Sequence, residues 1–111
     1  MNIRIAIIRE CCDWYGVAAP EAAMSYKNFD VDVDSSAKKA FSLICHYLSS
    51  PLLKDYAMPP EELSRYFQVS VKLVLMALNA RDLWNAEGSY SMIKGKVYTT
   101  IINLMPNNDE K

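Results

Sequence analysis

The chain is poor in helix breakers, with 3 glycines and 5 prolines in 111 residues. An all-β chain draws on glycine and proline for its many turns, so this scarcity points away from one. Histidine occurs once, as His46, and cysteine three times, as Cys11, Cys12 and Cys45. An odd count with two neighbours in sequence is no disulfide framework, and the expected location is a reducing cytoplasm. The spacing of Cys11, Cys12, Cys45 and His46 also misses a zinc site, whose paired ligands stand roughly two to four residues apart. No apolar run approaches the roughly 18 residues of a membrane span, so no membrane placement is expected. Residues 1–8 are apolar in part, but Arg4, Arg9 and Glu10 interrupt them and no small-residue cleavage pattern follows, so no secretory signal is expected. Charge of one sign is lacking too: 12 basic against 13 acidic residues give −1, which excludes a strongly basic protein that coats nucleic acid.

What is present is an ordinary globular composition, 51% hydrophobic and 23% charged. One helical domain over residues 1–105 is expected, with a flexible tail at 106–111. Ile5, Ile8, Cys12 and Tyr15, flanked by Ile7, Cys11 and Trp14, recur at three and four and predict a helix capped by Gly16. The alternation at residues 3–7 leaves a strand start open. Pro20 predicts a short second helix, and residues 25–36, with Asp30, Asp32 and Asp34, read as a solvent-facing loop. Ser35 or Ser36 then caps a helix that buries Ala37, Ala40, Phe41, Ile44, Cys45 and Leu48. Ser49, Ser50 and Pro51 stop it, and a linker with Leu52, Leu53 and Tyr56 follows.

Residues 60–80 carry the most information. Pro60, Glu61 and Glu62 suit the positive end of a helix that buries Leu63, Tyr66 and Phe67. Gln68, Val69 and Ser70 form a turn in which Val69 fills the angle between helices and Ser70 caps the next one. That next helix buries Val74, Ala77 and Leu78. Small Ser64, the turn, apolar Val69, the Ser70 cap and apolar Val74 make up a helix-turn-helix pattern. After a break at residues 84–88, Met92, Ile93, Val97, Tyr98, Ile101, Ile102 and Met105 are spaced as on a helix. Their β-prone content makes a short β wing the competing expectation. The whole predicts an all-α bundle of five to six helices containing the helix-turn-helix.

Charge is unevenly divided. Residues 1–62 sum to −3, residues 63–105 to +3 and the tail to −1. A basic half around the motif is what contact with phosphates requires. Ser70, Val71, Lys72, Leu73 and Met76 are then the candidates to face the bases of double-stranded DNA, and Arg65, Arg81, Lys94 and Lys96 the candidates to hold phosphates. Lys72 can reach guanine acceptors, Ser70 is permissive, and Leu73 or Met76 can touch a thymine methyl.

With these elements placed, the order resembles the C-terminal DNA-binding domain of the bacterial replication initiator DnaA, a Trp-repressor-like helix-turn-helix fold. The resemblance is carried by Ile8 to Tyr15-Gly16-Val17, by Met24-Ser25-Tyr26-Lys27, and by Ile44-Cys45-His46-Tyr47-Leu48. It continues in Pro60-Glu-Glu-Leu-Ser-Arg-Tyr-Phe67 and Val74 to Ala77. It implies a small DNA-binding, regulatory protein of bacterial or phage origin. The family's base-reading Gly-x-Arg-Asp-His and following threonine are replaced by Gln68-Val69-Ser70-Val71-Lys72-Leu73, which implies weak or diverged specificity. No phosphate-binding Gly-x-x-x-x-Gly-Lys-Ser/Thr loop occurs, so nucleotide hydrolysis is not implied.

A second expectation keeps the fold and exchanges the ligand. The apolar run Val71, Leu73, Leu75 and Met76, beside a net-acidic first half, suits a homodimer or another protein partner. Catalysis is not expected: His46 stands alone, Glu61 and Glu62 suit the helix dipole, and no nucleophile–base pair is recognisable. No cofactor and no metal is expected.

Overall fold

The computed structural model describes residues 2–27, 35–85 and 89–104, with 35, 81–85 and 89–91 described as backbone alone. Those residues form six α-helices and two 3₁₀ turns, with no strand among them. Asn2 begins α1 (Ile3–Tyr15): its side-chain oxygen accepts the Arg4 amide at 2.7 Å, satisfying a donor that the first helical turn leaves unpaired. Gly16 ends it as expected, at φ 68°, and the Val17 amide donates back to the Cys12 carbonyl at 3.0 Å. The strand alternative at residues 3–7 is thereby removed. Helix period places Ile3, Ile7, Cys11 and the residues beside them inside and leaves Ile5, expected on the stripe, 45% exposed.

Pro20 lies in the first turn of α2 (Ala19–Met24), which runs into a 3₁₀ turn, Ser25–Lys27. Residues 25–27, expected at the start of a solvent-facing loop, form this turn instead. Ser25 and Tyr26 are buried, Ser25 Oγ donating to the Ala22 carbonyl at 2.7 Å and the Tyr26 hydroxyl sharing a 2.6 Å hydrogen bond with Ser42. The three aspartates Asp30, Asp32 and Asp34 lie outside the described residues.

The core is organised around α3 (Ser35–Leu48), which packs against α1 on one side and α5 on the other. Ala37, Ala40, Phe41, Ile44, Cys45 and Leu48 are buried as expected, and Ser42, Leu43 and Tyr47 join them, so the helix is enclosed on nearly every side. The linker after it is a 3₁₀ helix, Pro51–Tyr56, opened by Ser50 and anchored by buried Leu53. Within it Lys54 takes φ 54° and ψ −121°, a backbone region that glycine occupies without strain and lysine does not.

Two helices joined by a tight turn follow, α4 (Pro60–Phe67) and α5 (Val71–Asn85). The helical spacing expected from Met92 onward is realised as α6 (Ser89–Leu104), whose Ile93, Val97 and Ile101 are buried, spaced by four residues along one helical face, and the competing β wing is absent from the described residues. Burial on that stripe outweighs the β-propensity of its Val-Tyr-Thr-Thr-Ile-Ile run. Helix α6 lies mainly on α1, where Thr100 Oγ1 donates to Glu10 at 3.1 Å. No described helix is long and apolar enough to cross a membrane.

Candidate nucleic-acid interface

The α4–α5 turn is built from short-range hydrogen bonds. Gln68 closes α4 in the left-handed conformation at φ 58°, and the Val69 amide reaches back to the Ser64 carbonyl at 3.1 Å. The Ser64 hydroxyl in turn donates to the Val69 carbonyl, so this small residue does what a larger one could not at the inside of the corner. Val69 is buried, as expected for the residue filling the angle. Ser70 caps α5: its hydroxyl accepts the Leu73 amide at 3.3 Å, and its carbonyl accepts from Val74 at 3.2 Å.

Helix α5 divides cleanly around its axis. Leu73, Val74 and Ala77 point into the core; Val71, Met76, Leu78 and Ala80 are half-buried; Lys72, Leu75 and Asn79 are exposed. The expected base-facing set is therefore corrected. Leu73 is only 9% exposed and belongs to the core, because it stands about 100° around the helix from Lys72. Ser70 and Lys72 are on the surface, while Val71 and Met76 sit at the boundary, Met76 packed against the core. The expected burial of Tyr66 is corrected too: it is 45% exposed beside half-buried Phe67. Leu75 and Asn79, outside the expected base-facing set, are exposed on the same helix as Lys72. The signal that finds them is helical period counted from Lys72 instead of adjacency in sequence.

The phosphate candidates do not gather in one place. Arg65, on α4 just before the turn, is exposed, and among the described residues neither it nor Lys72 is paired with an acid. Lys94 and Lys96 are also exposed but belong to α6. Lys94 Nζ lies 5.5 Å from the centre of the Tyr98 ring, and Lys96 Nζ lies 4.0 Å from Glu10 of α1. Arg81 is on the backbone of α5, with its side chain outside the described residues.

The +3 of residues 63–105 therefore does not describe one face. Residues 60–80 contain Glu61, Glu62, Arg65 and Lys72 and sum to zero. Geometry partly restores a positive balance near the turn, since Glu62 is engaged at 3.3 Å by Arg4, which also donates from Nε to the Tyr56 carbonyl at 3.0 Å. From Gln68 to Ala80 the chain has no acidic residue.

Elsewhere the chemistry is quiet. All three cysteines are buried and free, and burial pushes their thiols above the ordinary value of 9.0, with Cys12, Glu10 and Cys45 adding to the effect at Cys11. Thiols held protonated in this way are poor nucleophiles and poor ligands. Among the described residues no three His, Cys, Asp or Glu side chains converge on a metal-sized site. A second surface feature is an apolar groove of about 400 Å³ lined by Leu52, Lys54, Tyr98, Ile101 and Ile102, with Leu52 51% and Ile102 77% exposed.

No family model, no curated protein and no solved structure matches this chain.

Proposed function

We propose that the chain is a small double-stranded-DNA-binding protein that uses α4, the turn and α5 as a helix-turn-helix, with short and weak sequence specificity. The carrying observation is exposed, acid-unpaired Lys72 in the first turn of a Ser70-capped helix, on a stretch without acidic residues from Gln68 to Ala80. On this reading Arg65, exposed on the other side of the turn, meets a phosphate while Lys72 reaches the groove. This reading makes the chain a diverged relative of the initiator-type domain described above, with a bacterial or phage origin and a regulatory role. Lys94 and Lys96 are secondary phosphate contacts in it, since they lie on α6 with Lys96 beside Glu10.

The test is fluorescence anisotropy with mixed genomic duplex fragments at two salt concentrations, wild type beside Lys72→Ala and Arg65→Ala. Binding should weaken with salt, and each variant should lower the salt slope by about one. Affinity that ignores salt, or variants indistinguishable from wild type, would remove the proposal.

One observation favours a second reading. Leu52 and Ile102, 51% and 77% exposed, line one apolar groove, a surface suited to a protein partner or a second copy of the chain. Sedimentation of a dimer together with no mobility shift on DNA would favour it over the first.

A further inference from the structure

On the reading just given, the solvent face of α5 has a content that the expected set did not have. Taking Lys72 as the start, Leu75, Met76 and Asn79 follow at three, four and seven residues, the spacing that keeps side chains on one face of a helix. Burial agrees: Lys72, Leu75 and Asn79 are exposed and Met76 half-buried, with Leu73, Val74 and Ala77 on the far side. At about 1.5 Å per residue, Lys72 and Asn79 are roughly 10 Å apart along the axis, close to three base-pair steps of roughly 3.4 Å. The face is polar at both ends and apolar in the middle. It carries no acid, as the negative potential of a groove requires.

We infer that Lys72, Leu75, Met76 and Asn79 together form a base-reading face for a site of about three base pairs. Lys72 donates to the O6 and N7 acceptors of a guanine. Asn79 is the one residue on the face that can both donate and accept, which is the bidentate pattern of adenine N7 and N6. Leu75 and Met76 lie between them against a thymine methyl, and this gives an exposed leucine on a capped helix a reason to be there. Asn79, and not Ser70, is then the second specificity determinant, because Ser70 caps α5 and stands outside the three-, four- and seven-residue spacing that defines this face.

The inference is tested by selecting bound duplexes from a randomised library and sequencing them, with wild type, Asn79→Ala and Lys72→Ala run in parallel. Circular dichroism melts confirm that these surface variants fold. Wild type should enrich a guanine and an adenine about three steps apart with a thymine between them. Asn79→Ala should lose roughly tenfold discrimination at the adenine while keeping the wild-type salt slope. Lys72→Ala should lose the guanine. If wild type binds with salt dependence but Asn79→Ala enriches the same sequences, the face assignment falls and the DNA-binding reading stands. If wild type retains no duplex even at low salt, both fall.

Discussion

Helices α3 and α5 are 14 and 15 residues long and similarly apolar, yet they are used in opposite ways. In α3 the apolar residues surround the helix and nearly all are buried, so that it holds α1, α2 and α5 together. In α5 the core takes Leu73, Val74 and Ala77, while Leu75 is left 45% exposed and Met76 sits at the boundary. Equal hydrophobicity thus serves cohesion in one helix and surface contact in the other. The difference can be measured, because a buried apolar side chain resists truncation and an exposed one does not.

The largest effect is expected from Ile44→Ala in α3, a fully buried position, at about 2–5 kcal/mol of stability by urea denaturation. Leu75→Ala should stay within about 0.5 kcal/mol in the same assay. Equal costs at the two sites would break the comparison. Next comes pH. Burial raises the Cys45 thiol above 9.0, so the folded chain keeps a proton that the unfolded chain gives up. Its stabilising effect is complete below pH 9.0 and is lost as pH climbs beyond it, at no more than about 1.4 kcal/mol per pH unit. Urea midpoints measured across that range should fall less steeply for Cys45→Ala than for wild type.

Smaller effects sharpen the contrast at the turn. Ser70→Ala should cost about 1 kcal/mol and speed amide exchange at Leu73, the donor it caps. Smallest is Gln68→Gly, expected to stabilise by a few tenths of a kcal/mol, since Gln68 holds φ 58° and glycine does so without a Cβ penalty. A loss of stability instead would mean that the Gln68 side chain holds the corner.

Much of this architecture is legible in the sequence, and the misses have separate physical causes. The Gly16 cap, the Ser70 cap, the Val69 corner and the buried set of α3 all follow from local rules of spacing and capping, and all stand in the structure. Near the end of the chain helical spacing and β-propensity pointed in different directions, and the burial of Ile93, Val97 and Ile101 beside α1 decided for the helix. Leu73 was set on the surface by adjacency to Lys72, although one step along a helix turns a side chain through about 100°. The charge balance was misleading for a different reason. A running sum along sequence does not record that Arg4 reaches Glu62 or that Lys96 lies against Glu10.

The same Glu10 also ties the two ends of the described chain together. Glu10 and Thr100 meet across 90 residues, and α1 and α6 share one of the largest helix contacts in the molecule. Contacts so distant in sequence return nothing until the intervening chain has paid its ordering entropy, so they form late and raise the contact order above that of a simple up-and-down bundle. The two helices are consequently expected to open as a single cooperative unit. Their amides should exchange with solvent together, through the same opening, even though nearly the whole chain separates them.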